Sequence, residues 1–225
     1  MSGSQQRGSD RQASKPVTKQ SHAQHTVVHL VRHGEVFNPD KILYGRLPGW
    51  RLSDRGQRQA DATAASFVGH EVTYLACSPL QRTQETSRPI SEVVGLTPEP
   101  DGNLIEAGNS FEGLHIRGWD SDLWNPKYWP RLYRPDLPSW GEHYVDIADR
   151  MFVAIEHARK AAAGAEAILV THQLCVVAAA RRARQLPLAH NPADRQCDLA
   201  SVTSLEFVGD EIVGVSYAEP AAGIS

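Results

Sequence analysis

The sequence predicts one α/β domain, a three-layer α/β/α sandwich whose mostly parallel sheet ends in an antiparallel edge. Short β-branched runs alternate along the chain with stretches of helical periodicity, which is the pattern of strand–helix units. The last two apolar runs, residues 202–208 and 212–217, flank Gly209-Asp210 and predict a hairpin. With 225 residues and a hydrophobic fraction of 41%, the chain is large enough for a sizeable core.

The first strand–helix unit begins with residues 27–31, an apolar and largely β-branched run that predicts a buried strand ending at Arg32-His33-Gly34. Ser53 is the predicted N-cap of a helix that extends to about residue 69. The apolar side chains expected on the inner face of this helix are Ala60, Ala64, Phe67 and Val68.

The second unit combines a strand over residues 72–76 with a helix that extends to about Val94 and has Pro79 near its first turn. The third unit is predicted as a strand over residues 167–171 and a helix over residues 174–184. Before it, an amphipathic helix is expected over about 141–163, because apolar side chains recur there at helical spacing: Val145, Ala148, Phe152 and Ile155.

Two segments do not follow the strand–helix pattern. Residues 1–24 have almost no large apolar side chains, so we predict a disordered tail before a single domain over residues 25–225. Residues 101–140 are irregular and predict a lid or binding insert within that domain. Its aromatic side chains are candidates for substrate contact: Trp119, Trp124, Tyr128, Trp129, Tyr133 and Trp140.

Charge and cysteine content narrow the class of protein. A net charge of −3 gives no global attraction to nucleic acid, and the sequence has no apolar run long enough for a transmembrane helix. The three cysteines, Cys77, Cys175 and Cys197, form no CxxC pair, which argues against a disulfide scaffold and favours the cytoplasm. We therefore expect neither nucleic acid nor membrane as a partner. The sequence leaves open whether the chain forms a homodimer.

Chemically active side chains stand where the predicted strands end. Ligands of open α/β sheets bind at the carboxyl ends of the strands. The first strand ends in Arg32-His33, the third in His172, and Arg82 lies in the first turn of the helix that follows the second. Two arginines and two histidines on one rim, beside a helix N-terminus, predict a phosphate site with a histidine next to it.

The residues on this rim also resemble a known family. Leu30-Val31-Arg32-His33-Gly34-Glu35 followed by Asn38 is similar to the RHGE…N signature of the histidine phosphatase superfamily, which is phosphoglycerate mutase-like. Further segments match in the family's order: Gly45-Arg46, Leu52-Ser53-Asp54-Arg55-Gly56 with Gln59-Ala60, Ser78-Pro79-Leu80-Gln81-Arg82-Thr83, Glu106 with Glu112-Gly113, and Val170-Thr171-His172.

The resemblance implies a role for each matching residue. His33 is the implied nucleophile, which forms a phosphohistidine, and Glu106 is the implied proton donor to the leaving group and base for water. The implied ligands of the phosphate oxygens are Arg32, Arg82, His172 and Asn38. Gln173 stands where the family commonly has glycine, and its backbone N–H can still donate to phosphate. The resemblance implies no metal and no cofactor.

Several alternatives remain open from the sequence. One residue fewer than usual separates Glu106 from Glu112-Gly113, so Glu112 is the second candidate acid. The expected reaction is hydrolysis of a phosphomonoester, because EAGNSFEG (residues 106–113) differs from the mutase version and the turn Ser139-Trp140-Gly141-Glu142 resembles the phosphatase branch. A phosphoglycerate mutase-type phosphotransferase and a non-catalytic phosphate-binding module are the alternatives.

The sequence indicates the substrate and the metal content less clearly than it indicates the reaction. Aromatic residues beside a phosphate pocket favour a small phosphorylated metabolite with an apolar or stacking leaving group, and a phosphoprotein is the alternative substrate. His25, His29 and His33 are spaced four apart, as metal ligands on a helix would be. The β-branched residues between them indicate a strand, which argues against a metal at this spacing.

Overall fold

The structure is a computed structural model that describes residues 24–115, 121–129 and 141–225. Nearly all of the predicted tail lies outside the described residues, as do parts of the predicted lid, including Trp119, Tyr133 and the Ser139-Trp140 pair. The disordered tail and the lid role of residues 101–140 therefore stay predictions.

A six-stranded sheet forms the centre of the fold, in the order β3-β2-β4-β1-β5-β6. The inner strands β2, β4 and β1 are parallel, and β5 and β6 add the antiparallel edge that the sequence predicts. The strands are β1 (His25–Arg32), β2 (Val72–Cys77), β3 (Glu99–Pro100), β4 (Glu166–Thr171), β5 (Val202–Val208) and β6 (Glu211–Ala218). The short β3 was not expected.

Helices cover both faces of the sheet, which confirms the three-layer prediction. The helices are α1 (Asp54–Ala65), α2 (Gln81–Val94), α3 (Tyr144–Ala161) and α4 (Gln173–Ala183). α1 and α2 pack together over one apolar cluster, and α3 and α4 pack together over a larger one on the other face. Two parallel β-strands with their helices on opposite faces bring loops of both layers to the same edge of the sheet.

The start of α1 is predicted correctly, and its end is not. Ser53 caps α1 as predicted, with its Oγ accepting from the Gly56 N–H at 3.0 Å. The helix ends at Ala65, so Val68 lies in the following turn and is 70% exposed, against our prediction. Pro79 precedes α2 by two residues, near its first turn as predicted.

The prediction for α3 is correct in position and wrong in one of its inner residues. Val145 is exposed because the buried stripe follows a different arc of the helix. Its residues are Ile147, Ala148, Met151, Ala154, Ile155 and Ala158.

The three cysteines are free and buried, in agreement with the prediction that they build no disulfide scaffold. Across the described parts of the chain, no helix is both long enough and apolar enough to cross a membrane.

Candidate active site

Of the predicted rim residues, Arg32 and His33 line a cavity of about 460 Å³ at the carboxyl edge of the sheet, together with Glu106. Arg82 and His172 are buried beside His33 and are not among the described lining residues. Arg32 ends β1 and His33 follows it, while His172 follows the neighbouring strand β4. The ladder continues one residue past β1, because the His33 N–H donates to the Thr171 carbonyl at 3.0 Å. The β1–β4 pairing therefore brings the two histidine rings to a centroid distance of 5.2 Å.

His33 is held as a neutral imidazole with a defined tautomer. Its ring is buried, and Nδ1 lies 2.7 Å from the Gly34 carbonyl oxygen, which can only accept. Nδ1 therefore carries the proton and Nε2 keeps its lone pair. Burial, reinforced by the charges of Arg82 and Arg32, lowers the pKa of His33 well below its usual value. The ring is thus an available nucleophile at neutral pH.

Two guanidinium groups flank the histidines, that of the buried Arg82 and that of the half-buried Arg32. Arg82 is 1% exposed, donates from Nη2 to the Gly45 carbonyl at 2.8 Å, and lies with its Cζ 4.8 Å from the Tyr44 ring centroid. Arg32 donates from Nη1 to the Cys197 carbonyl at 2.6 Å. The Nε–H groups of Arg32 and Arg82 are buried and have no hydrogen-bond partner among the described residues. Buried donors without an acceptor are costly, so this pair suits an anion with several acceptor oxygens.

His172 is fully buried and bonded through both ring nitrogens. Nε2 lies 2.8 Å from Ser78 Oγ, and Nδ1 lies 3.2 Å from Nη2 of Arg82, which can only donate. Nδ1 is thus the acceptor and Nε2 carries the proton. Burial, together with the neighbouring Arg82, lowers the pKa of His172 well below its usual value. Ser78 is a site residue to which our sequence analysis assigned no role of its own.

Glu106 carries the carboxyl group that is nearest to these histidines in the described site. Its Oε2 lies 3.7 Å from Nδ1 of His172, and its Oε1 accepts from the Ala107 N–H at 2.8 Å. Burial raises the pKa of Glu106, and the Ala107 hydrogen bond and nearby arginines only partly oppose this. A carboxyl with a raised pKa holds its proton more readily, which is what a general acid requires.

Hydrogen bonds to successive backbone carbonyls fix the segment that leads to Glu106. Thr171 Oγ1 donates to the Leu104 carbonyl at 2.6 Å, and Cys175 Sγ lies 3.1 Å from the Ile105 carbonyl. Arg46 Nε donates to the carbonyl of Glu106 itself at 2.6 Å. The position of this carboxyl is therefore set by β4, by α4 and by the loop after β1.

Glu142 connects this segment to α3. Its carboxylate accepts from Arg46 Nη2 at 2.8 Å and from Arg150 Nε at 2.7 Å. Arg150 in turn donates to the Asn103 carbonyl at 2.6 Å. The preceding Gly141 has to be glycine, because a Cβ there would lie 1.7 Å from the Gly108 carbonyl oxygen. The Gly-Glu pair that the sequence singled out is thus the clamp on the Glu106 loop.

The other predicted site residues differ in how they are placed relative to the cavity. Asn38 lines the cavity, but its amide closes its own loop, with Nδ2 donating to the Ile42 carbonyl at 2.8 Å and Oδ1 accepting from the Ile42 N–H at 2.9 Å. Gln173 lines the cavity as the first residue of α4. Glu112, the second candidate acid, accepts from the Arg46 N–H at 2.9 Å and is not among the described residues that line the cavity.

Other lining residues were missed by the sequence analysis. Tyr44, Lys41 and Arg195 line the cavity, and no sequence pattern marks them because they lie in loops without periodicity. Trp124 and Trp129, two of the predicted substrate contacts, are 68% and 50% exposed and do not belong to the described lining.

The same cluster offers metal-ligand atoms, although its charges favour an anion. His33, Glu106 and His172 present ligand atoms within 4.8 Å of one another. A divalent cation between them would lie beside the guanidinium groups of Arg32 and Arg82, whose charges repel it. The site as built therefore fits phosphate better than a metal ion.

The chain belongs to the histidine phosphatase superfamily (branch 1), which matches residues 28–220. "Uncharacterized protein Rv0525" of Mycobacterium tuberculosis (strain ATCC 25618 / H37Rv) is 48% identical over 197 residues, 88% of this chain and 98% of that protein. "Probable phosphoglycerate mutase GpmB" of Yersinia pestis (strain Pestoides F) is 29% identical over 155 residues, 66% of this chain and 70% of that protein. The fold is similar to that of a mycobacterial glucosyl-3-phosphoglycerate phosphatase, Rv2419c, with a TM-score of 0.67 and 24% identity over 87% of this chain and 98% of that one. The family resemblance predicted from the sequence is confirmed, and the activities named among these relatives are those of phosphatases or mutases.

Proposed function

We propose that the chain is a metal-independent phosphomonoesterase that acts on a small phosphorylated metabolite through a phosphohistidine on His33. The observation that carries the proposal is a neutral His33, fixed by the Gly34 carbonyl, between two arginines whose Nε–H groups have no partner among the described residues. Two fixed positive charges stabilise the phosphoryl oxygens in the transition state, which is the work that a metal ion does in other phosphatases.

In the first step, the Nε2 lone pair of His33 attacks phosphorus and the bond from phosphorus to the leaving oxygen breaks. The Glu106 carboxyl gives its proton to that oxygen, so no free alkoxide is expelled. The approaching phosphate dianion favours the imidazolium form of His172, because opposite charges attract at close range. His172 takes up a proton from solvent at Nδ1 as the phosphate binds, and this N–H donates to a phosphate oxygen in place of accepting from Arg82.

In the second step, water attacks the phosphorus of the phosphohistidine while the Glu106 carboxylate takes a proton from the water. The P–N bond breaks, its electron pair returns to Nε2 of His33, and inorganic phosphate leaves. The covalent intermediate divides one difficult displacement into two easier ones. Asn38 and the Gln173 N–H are proposed as further donors to the phosphate oxygens.

The leaving group is expected to contact the outer part of the cavity. Lys41 and Arg195 there support a metabolite that carries a second anionic group, and Tyr44 offers an aromatic surface. The mutase alternative uses the same catalytic residues, and the Yersinia relative bears a mutase name. It differs in where the phosphoryl group goes, which is to a substrate hydroxyl instead of water.

The test compares p-nitrophenyl phosphate hydrolysis in EDTA by the wild type, His33→Ala and a matched histidine control, His157→Ala. His157 is exposed on α3 and lies far along the chain from the cavity loops. We expect turnover in the wild type and the control, a loss of at least about 10³-fold in His33→Ala, and an acid-labile phosphoryl label on the wild type after rapid quenching with labelled substrate.

Four results would contradict the proposal. Retained turnover in His33→Ala would exclude the phosphohistidine route. Isomerisation of 3-phosphoglycerate without release of phosphate would show a mutase, and binding of phosphate with neither reaction would show a binding module. Hydrolysis that disappears in EDTA and returns with added Mg²⁺ or Zn²⁺ would refute metal independence.

A further inference from the structure

A second cluster of ligand-type side chains lies on the face of the sheet that α1 covers, away from the cavity. It consists of His29 in β1, His70 in the turn after α1 and Glu166 at the start of β4, and their ligand atoms lie within 4.8 Å of one another. Because His29 precedes His33 by four residues of extended chain, the two Cα atoms are roughly 13 Å apart. The two clusters are therefore separate.

The carboxylate is the centre of the cluster. Oε2 of Glu166 lies 2.9 Å from Nε2 of His29 and 2.7 Å from Nδ1 of His70. Both nitrogens therefore point at one oxygen from two different elements. A tetrahedral ion at bond lengths of about 2.0 Å needs its ligand atoms about 3.3 Å apart, so small movements of these three groups would accommodate it.

The surroundings hold these groups in place. The Phe67 ring makes edge contacts with both imidazoles, at centroid distances of 5.2 Å to His29 and 5.6 Å to His70. The backbone N–H of Glu166 donates to the Glu71 carbonyl at 3.0 Å, which ties the His70 turn to β4. The cluster is thus assembled by the fold before any ion arrives, which lowers the ordering cost of binding.

The second ring nitrogen of His29 also has a hydrogen-bond partner. Nδ1 lies 2.8 Å from Ser204 Oγ on β5. When Nε2 binds an ion, the ring proton moves to Nδ1 and donates to that hydroxyl. Such an outer hydrogen bond is the usual partner of a metal-bound histidine, because it fixes the tautomer and the ring orientation.

The solvent exposure and the charge of the cluster are suited to binding a cation. The His70 side chain is 39% exposed and that of Glu166 is 24% exposed, whereas His29 is 9% exposed. Solvent therefore reaches the cluster from the His70 side, which leaves a fourth position for water. Each cluster contains one carboxyl group, but the second cluster, unlike the cavity, has no arginine among its members.

We propose that His29, His70 and Glu166 form a structural binding site for a divalent cation of the zinc class, with Ser204 as a positioning residue. Two imidazoles and one carboxylate are a ligand set that Zn²⁺ accepts in tetrahedral sites. The bound ion would link β1, β4 and the turn after α1, and would stabilise the fold without taking part in phosphoryl transfer.

The test is a Zn²⁺ titration by calorimetry of tag-free, EDTA-stripped and desalted full-length protein. We expect one equivalent of Zn²⁺ per chain for the wild type, and loss of that binding in His70→Ala and in Glu166→Gln. Ser204→Ala should weaken binding about 10- to 100-fold. A Zn²⁺ concentration of about one hundred times Kd should raise the wild-type Tm by roughly 5–10 °C.

Two matched histidine variants separate this site from the rest of the chain. His25→Ala removes an exposed histidine on the same strand, and His33→Ala removes the cavity ligand; both should keep the equivalent of Zn²⁺. Because His70 is on the surface, His70→Ala should fold and keep its phosphatase turnover in EDTA. Loss of binding in His33→Ala with retention in His70→Ala would place the metal in the cavity and overturn the proposal. Absence of stoichiometric binding in the wild type would also overturn it, because the cluster would then be a hydrogen-bonded triad only.

Discussion

Replacement of Glu142 by glutamine tests whether the Arg46–Glu142–Arg150 clamp positions Glu106. The Glu142 and Arg150 side chains are 18% and 15% exposed, and that of Arg46 is 38% exposed. Ion pairs that are fully exposed contribute about 0–1 kcal/mol, and removal of one partner of a buried pair costs about 3–5 kcal/mol. The partial exposure places the expected loss of unfolding free energy at about 2 kcal/mol, or a Tm lower by about 4–8 °C.

Glutamine is nearly isosteric, so the change isolates charge and hydrogen bonding. Oε2 of Glu142 accepts from Arg46, from Arg150 and from the Gly108 N–H, and Oε1 accepts from Arg150 Nε. Whichever way the amide is turned, its NH₂ group meets an N–H donor and the negative charge is gone. Arg46 then holds the Glu106 carbonyl less firmly.

The assay compares kcat for an alkyl phosphate, β-glycerol phosphate, with kcat for p-nitrophenyl phosphate. In the proposed mechanism, alkyl leaving groups depend on the proton from Glu106 far more than p-nitrophenolate does. We expect Glu142→Gln to lose about tenfold in kcat on the alkyl ester and less than about threefold on the aryl ester.

The control is Glu156→Gln, which breaks the more exposed pair with Arg159 on α3, where the carboxylate is 39% exposed. It should leave both rates unchanged and lower the Tm by less than about 2 °C. Equal losses on the two esters in Glu142→Gln would refute the argument that the clamp acts through Glu106. An unchanged Tm would refute the estimate of the ion-pair energy.

Two further predictions follow from the same geometry. Gly141→Ala should lower the Tm by more than about 5 °C in thermal unfolding, because its Cβ would meet the Gly108 carbonyl at 1.7 Å. The control Gly102→Ala should not lower the Tm in this way, because no atom lies within 4 Å of its Cβ. Equal Tm shifts in the two variants would contradict this reasoning. Stability should also depend on pH through His33 and His172, whose pKa values the fold lowers, since burial and the arginine charges oppose their protonation. Above the unfolded-state pKa of about 6.5, neither state binds the extra proton and the free energy of unfolding is at its full value. As the pH falls from there towards the folded-state pKa values, the unfolded state takes up protons and the free energy of unfolding decreases by at most about 1.4 kcal/mol per pH unit for each histidine. Urea unfolding between pH 7 and pH 5 measures this slope, which should be shallower in His172→Asn; an unchanged slope would show that His172 is not responsible.

Much of the site could be predicted because its main residues follow strands directly. The pattern of buried strands located Arg32, His33 and His172 at the sheet edge, and the start of a helix located Arg82. Glu106 could be proposed only through the family resemblance, since it lies in irregular backbone. The structure brings it to within 3.7 Å of His172, whereas Glu112 caps a neighbouring turn instead.

The residues that sequence patterns missed are those whose role depends on contacts between distant segments. Tyr44 lies against Arg82, and Ser78 against His172, across loops that no periodicity describes. The same reason explains the second cluster. The spacing of His25, His29 and His33 along a strand argued against a metal, and no sequence pattern indicated that strand pairing and the turn after α1 bring Glu166 and His70 to His29.

The two pairs of histidines thus acquire opposite ligand preferences from their neighbours. His33 and His172 lie between arginines, where positive charge disfavours both imidazolium and metal ions, so the pair suits attack on an anionic phosphoryl group. His29 and His70 instead converge on the carboxylate of Glu166, where a cation replaces two shared protons. Zn²⁺ binding that survives His33→Ala, together with phosphatase turnover that survives His70→Ala, would separate the two chemistries in one protein. Loss of turnover in His70→Ala, in a variant that still folds, would mean that the sites are coupled through β1.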